Sequence, residues 1–174
     1  IQDFPAVAIG ADGQFVVAWA SWGSEQDDSD SKSIQARIFS ADGTPLTPQF
    51  QVNTYTTSDQ NLPDVAWDSA ESFVVVWASA GSAGTDSSGF SVQLQRWSAS
   101  GTPIGGEFQV NTYTTGFQSH PKVAAGGNGA FVVVWDSYGG LTSDTSGYSI
   151  RARPRFPGGG WGDVVQVNTY TTDN

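Results

Sequence analysis

Pro5, Pro63 and Pro121 stand 58 residues apart, and so do Trp19, Trp77 and Trp135. The same register superposes Gln2, Gln60 and Gln118, the Val-Ala pairs at 7–8, 65–66 and 123–124, and the segments FVVAW, FVVVW and FVVVW. Each unit closes on QVNTYTT, beginning at Gln51, Gln109 and Gln166; the last spacing is one residue short, a position having been lost between Pro157 and Trp161. Three copies, 1–58, 59–116 and 117–174, fill the chain. A period of this size is the signature of stacked supersecondary units rather than of an irregular domain, and the expectation is a single domain of three tandem repeats.

Within the first unit the runs PAVAI, FVVAWAS, SIQARIFS and FQVN read as strands, each bounded by Gly, Asp, Asn, Ser or Pro. No stretch carries a sustained apolar period near 3.6, so helix should be almost absent. In the second strand Phe15, Val17 and Trp19 alternate with Val16 and Ala18, so both faces are apolar and both must be covered. A four-stranded meander covered by copies of itself is a propeller blade, and the expected fold is all-β, with three four-stranded antiparallel blades arranged as in a β-propeller. A twelve-stranded sandwich leaves one face of each strand polar, and a solenoid uses coils of about 20–30 residues, so both fit the pattern less well. Propellers have roughly 4–8 blades. Three blades therefore imply a strongly curved ring, part of a larger ring, or copies that associate to complete one.

Seven Trp and ten Phe supply enough apolar surface to offset the entropy of ordering. A net charge of -10 opposes binding to nucleic acid or anionic lipid, and suits a soluble surface or cation binding. Without Cys there is no disulfide framework and no thiolate metal site. No run approaches the length of a membrane-spanning helix. Beginning at Ile1 and lacking Met, the chain reads as an excised or processed piece of something longer.

The pattern FVVVW, a loop carrying Asp-Ser-Ser-Gly, and then SVQLQRWSASGTPIGGEFQVNTYTT resembles repeats of large secreted bacterial surface proteins along the whole chain. The turn from Ser40 to Pro45, between third and fourth strands, resembles the Asp-box turn of sialidase-type propellers, with Pro45 and Pro103 where that motif has an aromatic residue. The resemblance implies blade and turn geometry and an extracellular or cell-surface location; it does not carry sialidase chemistry with it.

Three sets of residues invite a functional reading. The loop between second and third strands aligns Asp28, Asp86 and Asp144, and its first copy adds Glu25, Asp27 and Asp30. Clustered carboxylates and flexible backbone suit calcium, which takes about 6–8 oxygen ligands. The alternative is an Asx-turn, in which each Asp orders its own loop. The identity of QVNTYTT admits a thrice-repeated sugar groove of Asn53, Tyr55, Asn111, Tyr113, Asn168 and Tyr170, or a structural role in which Asn pins the inter-blade turn and Tyr wedges between blades. Trp22, Tyr138, Phe90 and Tyr148 beside the long loop are either stacking platforms for a glycan or caps on the core.

Catalysis finds little support in the sequence. His120, the only His, aligns with Leu62 and Phe4, an apolar position with no repeated base or nucleophile beside it. Arg37 and Arg153 are replaced by Gln95 in the middle copy, so no three-Arg clamp arises. The expected function is that of a non-enzymatic structural or adhesive module, the alternative a lectin-like propeller with repeat-equivalent sites. Expected partners are a glycan, another protein surface or a second copy, and neither nucleic acid nor membrane.

Overall fold

The computed structural model describes residues 1–23, 31–82, 84–139 and 147–169, and among these there is no helix. The first sheet holds β1 (Gln2–Ile9), β2 (Phe15–Trp22), β3 (Lys32–Phe39) and β4 (Phe50–Gln51). The second holds β5 (Gln60–Ser69), β6 (Ser72–Ala80), β7 (Phe90–Ser98) and β8 (Pro103–Gln109), and the third β9 (Gln118–Ala125), β10 (Phe131–Tyr138), β11 (Tyr148–Arg155) and β12 (Val165–Gln166). Each is an antiparallel meander in chain order. Such a sheet lets four strands be joined by short turns, as the Gly-rich sequence requires.

The innermost strands begin three residues earlier than the run PAVAI implies, at the aligned glutamines Gln2, Gln60 and Gln118, so each proline lies inside its strand. A proline breaks a ladder, and the chain accommodates it with a bulge: the β1–β2 register shifts between Asp3 and Ala6, and the β5–β6 register between Asn61 and Asp64. In the third sheet the matching shift falls between Val134 and Asp136. The residue before each proline, Phe4, Leu62 and His120, takes φ of 51°, 54° and 51°, left-handed backbone that costs a non-glycine residue about 1–2 kcal/mol. Three repeats of the same strain mark a constructed feature rather than an accident.

The sheets stack in order, and their packing is directional. Val16, Ala18, Ala20, Ile34, Ala36 and Ile38 of the first sheet form a core with Phe73, Val75 and Trp77 of the second. Val74, Val76, Val92 and Leu94 of the second form the next with Phe131, Val133 and Trp135 of the third. Each joint thus sets an aliphatic face of one blade, Val, Ala and Ile in the first and Val and Leu in the second, against the Phe-Val-Trp ladder of the next. Only the middle blade is covered on both sides: β6 is buried from Ser72 to Ser79, whereas β2 and β10 alternate buried with half-buried positions. The expectation that both faces of the second strand are covered therefore holds for one blade in three, and Trp19 lies half-buried where Trp77 and Trp135 are buried. At the outer edge Arg153 extends over Trp161, 5.0 Å from its ring centroid, while its Nη1 donates across the joint to the Val110 carbonyl at 2.8 Å.

Candidate functional site at the loop end of the blades

Each connection between blades, the base of each long loop and the start of each innermost strand meet at one end of the sheets, so this end gathers the described residues singled out in the sequence. Asn53 and Asn111 are buried. Asn53 Oδ1 accepts the Ile34 N–H at 2.7 Å, and its Nδ2 donates to the Tyr55 carbonyl at 2.9 Å and to Gln60 Oε1 at 3.1 Å. Asn111 repeats this arrangement with Val92, Tyr113 and Gln118, and Asn168 accepts the Ile150 N–H at 2.9 Å. One amide therefore joins the third strand of its own blade to the first strand of the next, a task that only Asn or a close mimic performs at this reach. That explains why Gln60 and Gln118 recur with Asn53 and Asn111.

Tyr55 and Tyr113 are half-buried and lie against the next blade. A Cβ added at Gly81 would come within 2.9 Å of the Tyr55 hydroxyl, and one at Gly139 within 3.1 Å of that of Tyr113. Together with their positive φ values of 83° and 72°, this requires glycine at both positions. The aligned Gly23, in the first sheet, has nothing within 4 Å of such a Cβ.

Asp86 is buried, with Oδ1 accepting the Ser88 N–H at 3.1 Å and Oδ2 the Asn111 Nδ2 at 2.7 Å. The first bond is the Asx-turn anticipated as the alternative to calcium; the second ties the long loop to the inter-blade asparagine. Burial pushes the Asp86 carboxyl above the usual aspartate value, against the pull of these two bonds. Among the described residues no group of three or more His, Cys, Asp or Glu is placed to hold a metal ion. Asp27, Asp28, Asp30 and Asp144, and also Tyr170, lie outside the described residues.

The exposed aromatics do not recur in all three copies. Trp22, Tyr138 and Tyr148 project at the loop bases, Tyr138 and Tyr148 meeting edge to face with ring centroids 5.2 Å apart. In the second blade Phe90 packs near Phe117 at 6.2 Å. Ala80 occupies the position of Trp22 and Tyr138, so this rim is aromatic in the first and third blades only.

One cluster escaped the sequence reading. The three bulges surround a cavity of about 170 Å³ lined by Phe4, Pro5, Leu62, Pro63, His120, Pro121 and Lys122. His120, expected at an apolar position without a companion, is exposed, with Nδ1 3.1 Å from Asp136 Oδ2. Lys122 Nζ lies 3.7 Å from Asp64 Oδ1, and Asp64 Oδ2 accepts the Val123 N–H at 2.8 Å. A signal was present: the third copy alone changes Leu62 to His120 and Ala78 to Asp136, and Asp136 pairs across the sheet with Ser119, the neighbour of His120. Simultaneous polar replacement of two adjoining apolar positions marks a pair.

No protein-family profile matches the sequence, and no curated protein matches it. The fold does have counterparts among solved structures. An alpha-L-arabinofuranosidase from Lactobacillus brevis superposes with a TM-score of 0.58 at 11% identity, over 97% of this chain and 55% of its own. The Hadza microbial sialidase Hz136 superposes with a TM-score of 0.59 at 14% identity, over 92% of this chain and 36% of its own. The chain thus spans less than two thirds of the length of either. At such identity the likeness establishes the architecture: an all-β fold of propeller-type blades, shared with domains of carbohydrate-active proteins.

Proposed function

We propose that the chain is a non-enzymatic structural or adhesive repeat module of an extracellular or cell-surface protein. The observation that carries this reading is the use made of the repeated residues. Asn53, Asn111, Gln60 and Gln118 are buried and bonded to one another's blades, and Tyr55 and Tyr113 seat against glycines of the next blade. What the repeat preserves is the joint between blades, as a module selected for assembly would. The acidic surface, with a net charge of -10, keeps such an array soluble. Incubation with chromogenic arabinofuranosides and sialosides should release no product. Turnover that disappears on Asp136→Asn or on Asp64→Asn would overturn the non-enzymatic reading, since His120–Asp136 and Lys122–Asp64 are the ion pairs described beside the axial cavity.

A second reading, glycan binding, is favoured by the exposed Tyr138–Tyr148 pair and by Trp22, since aromatic faces stack on the apolar faces of sugars. The carbohydrate-active neighbours point the same way. Because only the third blade pairs two rim aromatics, with Ala80 at the position of Tyr138 and Lys32 at that of Tyr148, this reading places one site there rather than three equal sites. A glycan array tests it: binding lost in both Tyr138→Ala and Tyr148→Ala supports the site, and binding indifferent to both removes it.

A further inference from the structure

We propose that the open face of the first sheet receives the open face of the third sheet of a second copy, so that two copies close head to tail into one six-bladed ring. The argument rests on repeat equivalence. Within the chain the joint between first and second sheets and the joint between second and third are built from the same two faces. The faces left over are one of each kind. On the first sheet Val7, Ile9, Val17 and Trp19 are the equivalents of Val65, Trp67, Val75 and Trp77, which pack against the preceding blade. Val7 is 66% exposed where Val65 is 5%. On the third sheet Val132, Val134, Ile150 and Val167 are the equivalents of Val74, Val76, Val92 and Val110, which pack against the following blade. Val167 is 53% exposed where Val110 is fully buried.

The first sheet also holds an open groove of about 540 Å³ lined by Gln2, Asp3, Pro5, Val17, Trp19 and Gln49. On the second sheet Gln60, Pro63, Val75 and Trp77, four of the same positions, are buried beneath the first. The groove is the seat of a preceding blade. Arg37 matches Arg153: its Nε donates to the Thr47 carbonyl at 3.0 Å as that of Arg153 does to Gly162 at 3.1 Å. Where Arg153 reaches on to Val110, Arg37 would reach the carbonyl of Val167 of the second copy. The third sheet's open face also carries charged residues: Asp136, where Ala20 and Ala78 are buried, with its carboxylate turned to His120, and Lys122, the ladder partner of Val134, with its Nζ 3.7 Å from Asp64 Oδ1.

The count of copies follows from closure. A head-to-tail contact gives a ring if the rotation closes and a filament if it does not. Rings have roughly 4–8 blades, and the only multiple of three in that span is six. A two-fold axis then coincides with the ring axis, and the bulges at Phe4, Leu62 and His120 occur twice around it.

The test is the mass of the chain by size exclusion with light scattering over a wide range of loading. A species of twice 18.3 kDa is expected. Val17→Arg and Val134→Arg, at half-buried positions on the two open faces, should each give a monomer with an unchanged far-UV spectrum. An equimolar mixture of the two should restore a dimer, because a head-to-tail pair then keeps one unaltered joint. A wild-type monomer, a species larger than two copies, or a dimer sensitive to only one of the variants would overturn the proposal. The wild-type mass decides even if a variant does not fold.

Discussion

Replacement of the three aligned tryptophans by alanine should have unequal effects. An indole buries about 150–250 Å² of surface, worth roughly 4–6 kcal/mol at 25 cal/mol per Å² and less once a compact denatured state is allowed for. Trp77 is 0% exposed within the first core and Trp135 2% exposed within the second. Both carry a cost of their own, because Nε1 of Trp77 and of Trp135 is buried without a hydrogen-bond partner, a loss of about 1–3 kcal/mol that truncation relieves. The net expectation for Trp77→Ala and Trp135→Ala is about 3 kcal/mol each, at the lower end of large-to-small core substitutions. Trp19 stands on the open face and leaves less surface to be lost, so Trp19→Ala should cost about 1–2 kcal/mol in the isolated chain. Urea denaturation followed by far-UV circular dichroism, at a dilution where light scattering shows one copy, gives the three values from midpoints at constant m. Equal costs at positions 19 and 77 in that monomer would refute the reasoning, since they would mean that blade packing does not determine what each indole contributes.

Other substitutions follow from single observations. Ser58 has φ of 61° and aligns with Gly116, whose φ is 76°, so Ser58→Gly should raise stability by about 0.5–1 kcal/mol in the same urea assay. Asn111→Ala leaves the Val92 N–H and the Asp86 carboxylate without their partner and should cost about 2–3 kcal/mol, visible as a lower thermal midpoint. For Asp86 the folded-state pKa is raised by burial. Its contribution to stability is thus fully present below the ordinary aspartate pKa and is lost as pH rises through the folded value. Asp86→Asn, which keeps an acceptor for Ser88 but turns an NH2 toward the Asn111 Nδ2 donor, should melt below wild type, with the deficit growing as the pH is lowered toward 4; thermal melts across that range measure it.

The strands, their order and the period are legible in the sequence because alternation, turn glycines and a repeated register are local properties of the chain. FVVVW reads as an extended segment apolar on both faces, and three copies of it favour three stacked blades over a sandwich or a solenoid. The role of QVNTYTT was half legible: its identity announced a constraint, and burial assigned Asn53 and Asn111 to the joints. What the sequence could not convey was position in the array. Trp19, Trp77 and Trp135 are the same residue in the same strand, yet Trp77 and Trp135 are buried against a preceding sheet while Trp19 stands on a face that no sheet of this chain covers. Likewise His120 and Asp136, 16 residues apart, meet only through the bulge that turns the first strand of the blade at Pro121. Local pattern determined what each blade is, while the tertiary structure decided which faces are spent and which are left open, since burial belongs to the stack and not to the repeat.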